Sequence, residues 1–269
     1  MSNLSNVGFG ASSDEAFEEL INQIYQQAYP VEVNGGVYMV FADPSGAELW
    51  LQINEQNQFT GFNPHYRGQS KRRVRLTNEV ERPESELDGA FYAWAEPIAD
   101  SEETESGQYP FVFDLPDAQK YQHIRFPQDI DIQLTAFAQE ITVFASEEDF
   151  NKSQEDQELK WATQSFIPSG LFHPNEQSNP QPSQAYGIFT GIIKEVALKT
   201  NAFTQQQFYW LLTDTLGGTI DVVADPQYFD QAPQKNGVIQ GQFWLSGDLL
   251  SEPEQLSKKE RKGFLSKFF

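Results

Sequence analysis

Residues Phe208 to Ala224 read FYWLLTDTLGGTIDVVA. Two runs rich in aromatic and β-branched residues, Phe208 to Thr213 and Thr219 to Ala224, flank the pair Gly217-Gly218. Glycines supply the positive φ angles that a tight hairpin turn demands, and the flanking residue types fit a pleated, half-buried surface. The stretch predicts an antiparallel hairpin, and the same signals extend outward from it. Upstream, Tyr186 to Leu198 is a long apolar run with Gly187 and Gly191 inside it, where a strand bends or bulges. Downstream, past a loop with Pro226 and Pro233, Gly237 to Leu250 holds Val238, Ile239, Phe243, Trp244 and Leu245, with Gly241 and Gly247 among them. Ile130, Ile132, Leu134, Ala136 and Ala138 alternate along one further strand. About five strands with glycines at the bends suggest a small OB-like barrel over residues 128–250.

The first half carries a helix and more strands. Ser12-Ser13-Asp14-Glu15 fits a capping box, S-x-x-E. Phe17, Leu20, Ile21, Ile24, Tyr25 and Ala28 follow at helical spacing, and Pro30 marks the end. That apolar stripe is expected to pack on a sheet. Val37 to Ala42 and Glu48 to Ile53 flank Asp43-Pro44-Ser45-Gly46, a turn by its residue types, and so predict a hairpin. Lys71 to Val80, Gly89 to Ala95 and Phe111 to Leu115 read as further strands, and Ser146-Glu147-Glu148-Asp149 as a helix start. Both halves hold Ala-Asp-Pro after a glycine pair, at Ala42-Asp43-Pro44 and Ala224-Asp225-Pro226, which raises the idea of two related lobes. The expectation is a mainly β protein of the α+β kind with two β-rich lobes. Residues 1–127 make an N-terminal amphipathic helix and β lobe, 128–250 the barrel-like lobe, and 251–269 a basic amphipathic tail.

Composition narrows the function classes. The chain has no cysteine, which excludes disulfides, thiolate nucleophiles and Cys-ligated metal centres. No secretory signal or membrane-length apolar run is visible, so a soluble cytoplasmic protein is expected. The formal net charge is −21, and the positive groups are gathered in two islands. One is Arg67, Lys71, Arg72, Arg73 and Arg75; the other is Lys258, Lys259, Arg261, Lys262 and Lys267. A surface that is acidic elsewhere repels phosphate backbones, so nucleic acid is a poor partner.

No catalytic motif stands out. His65, His123 and His173 fall in no metal-ligand spacing, and each lies near a turn and beside aromatics. The nucleophile elbow G-x-S-x-G and the phosphate-binding G-x-G-x-x-G and G-x-x-x-x-G-K-[ST] patterns are missing. Asp114, Asp117, Asp129 and Asp131 flank strands and admit a glycosidase-like pair or a Ca²⁺ site, against the plainer reading of solvated surface charge. No cofactor and no metal are expected. The basic strand Arg67, Lys71, Arg72, Arg73 and Arg75 admits three roles: nucleic-acid contact, an acidic partner, or pairing with the protein's own acids.

The tail is the sharpest local feature. Ser257-Lys258-Lys259-Glu260 repeats S-x-x-E, and Phe264, Leu265, Phe268 and Phe269 follow Lys258, Lys259, Arg261 and Lys262. A basic segment with an aromatic end fits a partner's groove, or weak contact with an anionic membrane; the plain alternative is a frayed or folded-back terminus. Taken together, these features point to a non-catalytic interaction or binding protein of the immunity or adaptor type, with another protein as its expected partner. A hydrolase with an Asp/Glu–His site and a reversibly membrane-associated protein are the alternatives.

Overall fold

Ser13, rather than Ser12, opens the N-terminal helix. Its extended backbone leaves the hydroxyl free to accept the Ala16 N–H at 3.2 Å, and helix α1 runs over Asp14–Tyr25. The computed structural model describes residues 3–82, 85–99, 103–171 and 182–256. As expected, α1 lays its apolar stripe on a sheet: Ile24 is fully buried and the Phe17 ring lies 5.3 Å from that of Phe62. Pro30 does not simply follow the helix. It sits inside an edge strand, β1 (Tyr29–Val33), where a residue without an N–H is tolerated.

Strands β1, β2 (Gly36–Ala42), β3 (Ala47–Asn54) and β4 (Phe59–Tyr66) form an antiparallel four-stranded sheet in chain order. The β2–β3 hairpin closes at the predicted Asp43–Gly46 turn, where Asp43 Oδ1 accepts the Ser45 N–H at 2.8 Å. Strand β4 was not legible, because Gly61, Asn63 and Pro64 interrupt its apolar pattern. Strand β3 is buried on both faces. Leu49 and Leu51 enter the main core, while Trp50 joins Tyr38, Val40 and Leu87 in a small second core. A lid of backbone makes this possible: Tyr38 donates to the Leu87 carbonyl at 2.6 Å and accepts the Gln119 N–H at 3.2 Å.

The remaining strands form one nine-stranded sheet. They are β5 (Arg72–Val80), β6 (Ala90–Ala95), β7 (Tyr109–Asp114), β8 (Gln128–Phe144), β9 (Ser165–Ile167), β10 (Tyr186–Thr200), β11 (Gln207–Thr215), β12 (Gly218–Ala224) and β13 (Val238–Leu249). A short helix, α2 (Glu147–Lys152), starts at the predicted Ser146, whose hydroxyl accepts the Asp149 N–H at 3.1 Å. The protein is thus mainly β with two sheets. The expected boundary at residue 127 falls within the second sheet, since β5, β6 and β7 precede it and pair onward into β8 and β13.

The pairings of this sheet return on themselves twice. One ring runs β8–β5–β6–β7–β13 and the other β8–β12–β11–β10–β13, and the antiparallel β8–β13 ladder belongs to both. The second ring has the five strands expected of a small barrel; the OB-like label goes no further than that count. The Gly217-Gly218 turn between β11 and β12 is as predicted, with φ of 78° and 110°. Inside, Tyr109, Phe166, Phe189 and Phe243 stack in a column, with ring centroids 4.6, 5.7 and 4.1 Å apart in turn. No helix among the described residues is long and apolar enough to cross a membrane.

A buried carboxylate ties the segment between the sheets to the second sheet. Asp221, on β12, is fully buried. Its Oδ1 accepts the Gln69 N–H at 3.0 Å and the Trp210 indole N–H at 2.8 Å; its Oδ2 accepts the Ser70 N–H at 2.8 Å and the Gln133 side-chain amide at 2.7 Å. Segment 67–71, which joins the sheets, is thereby fixed to β8, β11 and β12. Gly68 is required here, because a Cβ at that position would collide with the carboxylate. Replacing Asp221 with Ala leaves these donors without an acceptor in the interior. We expect a loss of about 3–5 kcal/mol in urea unfolding, with Gly68→Ala also strongly destabilising. A change below about 1 kcal/mol in Asp221→Ala, the size of an ordinary surface substitution, would refute this role.

Candidate ligand-binding cleft

Between the sheets lies a cleft of about 310 Å³, lined by residues from both and from the turn at 116–121. Three buried polar atoms in its lining have no hydrogen-bond partner: His65 Nε2, Asp117 Oδ1 and Gln133 Oε1. Buried polar groups are nearly always paired, so three orphans at one hollow mark it out. A larger hollow of about 520 Å³ lies beside Glu79–Phe91 and His123, but none of the buried unpartnered atoms faces it.

Each orphan is held in place by a partner on its other side. Gln133 donates its amide to Asp221 Oδ2 and, at 2.8 Å, to Thr135 Oγ1. Asp221 is an acceptor already engaged by three other N–H groups, so the amide nitrogen must point that way and the oxygen toward the cleft. His65, on β4, places Nδ1 2.8 Å from Ser246 Oγ on β13, which bridges the sheets and leaves Nε2 facing inward. Asp117 uses Oδ2 to bind Lys120 Nζ at 3.0 Å, and that ammonium also lies 4.8 Å over the Trp50 ring.

The charges around the cleft are unbalanced. Glu48 accepts from Arg67 Nη2 at 2.8 Å and from the Trp50 indole at 3.0 Å. Asp248 has no ammonium or guanidinium paired with it among the described residues. Burial pushes the Glu48 carboxyl up, and the charges of Asp248 and Asp117 add to that against the pull of Arg67 and Trp50. Asp248 is raised by burial and then by Asp117, with Arg67 and Lys120 opposing. The His65 imidazole is pushed down to about 3, first by burial and then by Arg67, with a side-chain hydrogen bond to Gln133 acting the other way, so these two groups partly answer each other. The ring is therefore neutral across the physiological range.

The basic strand is turned to internal use. Arg72 is buried: it donates to the carbonyls of Gly217 and Leu216 at 2.7 and 2.6 Å and to the Tyr109 hydroxyl at 2.9 Å. Lys71 and Arg73 meet Asp131 at 2.9 and 3.3 Å, and Arg75 grips Asp129 with two nitrogens at 2.6 and 3.1 Å. Arg67 alone of this group lines the cleft. The tail residues Lys258, Lys259, Arg261, Lys262, Phe264, Leu265, Phe268 and Phe269 lie outside the described residues, as does His173.

Among the described residues, neither the two histidines nor the candidate acids share one site. His65 and His123 line different hollows. Asp114 binds Arg82 at 2.6 Å and the Trp244 indole at 2.6 Å, so it, Asp117, Asp129 and Asp131 each serve different cations, and no glycosidase-like pair forms. No cluster of metal-ligating side chains occurs among the described residues. Sequence reading missed Trp50, Lys120, Gln133 and Asp248. Gln133 gave no signal, because it stands in the register of β8 that also holds Asp129, Asp131 and Thr135. Compared with known proteins, the chain matches no family model, no curated protein and no solved structure.

The depressed His65 pKa has a measurable consequence. Between about 6.5 and 3 the unfolded chain binds a proton at this residue and the folded one does not, so stability falls as pH drops through that window. The loss from this residue reaches roughly 2 kcal/mol at pH 5, since one pKa unit is worth about 1.4 kcal/mol. Glu48 and Asp248, raised when folded, act in the opposite direction in the carboxylate range. The difference in unfolding free energy between the wild type and His65→Gln therefore isolates the imidazole. It should shrink or reverse from pH 7 to pH 5 by roughly that 2 kcal/mol; a constant difference contradicts a buried neutral ring.

Proposed function

We propose that this chain is a non-catalytic binding protein that holds a small, hydrogen-bond-donating molecule in the cleft between its two sheets. One observation carries the reading: a hollow between the sheets is lined by the buried polar side chains of Glu48, His65, Asp117 and Gln133, and Asp117 Oδ1 there has no hydrogen-bond partner. The cleft is of the size that takes a small ligand. Its acceptors belong to Asp117 and Gln133, so what enters must bring N–H or O–H groups.

The hydrolase alternative has less support. Ser246 is the hydroxyl nearest His65, but it is 1% exposed and does not line the cleft. No carboxylate orients the imidazole among its hydrogen bonds, so the third member of a nucleophile relay is lacking. The immunity- or adaptor-type reading, with another protein as partner, keeps a smaller basic face: Arg72 and Arg75 are buried, while Lys71 and Arg73 are exposed but paired with Asp131.

Two measurements separate these readings. In ¹⁵N spectra, the Trp50 indole and the His65 ring should move together when millimolar polyols or alkylamines are added, and not with acetate. A panel of such fragments that leaves both signals in place removes the cleft as a binding site. A fluorophosphonate probe should leave the protein unlabelled; covalent modification of Ser246 would transfer the chain to the hydrolases.

A further inference from the structure

We propose that the cleft recognises an organic ammonium ion, and that Lys120 is its internal competitor, seated on the Trp50 face and the Asp117 carboxylate that the ligand would use. The inference rests on the cleft being the binding site and names the chemistry of what it takes.

The contacts of Lys120 define the site. Its Nζ is 4.8 Å from the Trp50 ring and 3.0 Å from Asp117 Oδ2. An aromatic face with a carboxylate beside it is the arrangement that selects alkylated and primary ammonium groups. Here the receptor is buried and the occupant is not: Trp50 is 4% exposed and the Asp117 side chain 6%, whereas that of Lys120 is 36% exposed. Lys120 also leaves the receptor half used. Asp117 Oδ1 has no hydrogen-bond partner. A side chain arriving from a single turn, Ala118–Tyr121, reaches only the rim of a site built deeper than it needs.

Charge selects the ligand class. Glu48, Asp117 and Asp248 outnumber Arg67 and Lys120, and both cations are already paired, so an anion meets surplus negative charge. A neutral polyol satisfies the acceptors but leaves Asp248 without a counter-charge. An ammonium ion satisfies the acceptors and supplies that charge. The partnership that holds Lys120 is a local i,i+3 ion pair whose ammonium is partly exposed, so an incoming cation can compete for the buried carboxylate. The overall charge of −21 raises the concentration of cations near the protein.

The test uses the full chain and follows the Trp50 indole resonance. The probes are n-butylammonium, capped lysine, n-butanol and xylitol. The proteins are the wild type, Lys120→Met, and Lys152→Met on α2, which controls for the change in net charge. Both ammonium probes should bind, n-butanol should not, and Lys120→Met should tighten ammonium binding by roughly 2–5-fold relative to both other proteins, the range expected for one exposed cation–π contact. Binding of capped lysine alone also supports the proposal and places the ammonium on a protein partner. If xylitol binds and neither ammonium does, the ligand class is wrong while the cleft reading stands. If no probe binds, both fall. Equal affinities in Lys120→Met and Lys152→Met would remove Lys120 as competitor.

Discussion

The carboxylate of Asp221 is the constraint on which the rest of the molecule turns. A charged group in an apolar interior is tolerated only when its lone pairs are filled, and four N–H donors fill them. Two of those donors are consecutive backbone amides of the segment that joins the sheets. A third is the amide of Gln133, whose other end faces the cleft. The group that anchors the first sheet to the second thereby also sets the direction of a cleft acceptor. Stability and site geometry thus share one atom set where β8 meets the cleft.

Much of the fold was legible because it depends on local chemistry. Alternating apolar residues, a glycine pair with positive φ and serines at helix starts each act over a few residues, and the β2–β3 and β11–β12 hairpins and the start of α2 appeared where those signals stood. What escaped depends on distant parts of the chain. Strand β4 is held by its neighbour despite Gly61 and Pro64, and the second face of β3 is buried because residues 85–88 and 118–121 cover it. The cleft escaped for the same reason in stronger form. Trp50, His65, Asp117, Gln133 and Asp248 are single residues in five separate segments, each unremarkable beside its sequence neighbours.

The uneven charge pattern also changes meaning in three dimensions. A run of basic residues reads in one dimension as a surface waiting for an acidic partner. In the structure, the strand that carries it lies against β8, and Asp129 and Asp131 stand opposite Arg75 and Arg73 in register. Cross-strand pairs of opposite charge fix that register and quiet the positive field. Arg72 goes further: its head group, inside the protein, holds the turn between β11 and β12 by its carbonyls. Negative charge is left in excess in one enclosed place, where burial and mutual repulsion lift the carboxyls of Glu48 and Asp248.

The ladder between β8 and β13 has a consequence for how the chain comes into being. Residues 132–144 of β8 form their longest ladder with residues 238–249, so both rings remain open until β13 has left the ribosome. The N-terminal segment waits as well, since Asn6 donates to Ala138 and accepts from Asp225. The four strands of the first sheet pair in chain order and can form early, whereas the second sheet waits for its distant partners. It emerges with unpaired strand edges exposed for most of its synthesis, and its assembly is a late, nearly concerted event in which the closing ladder completes both rings at once.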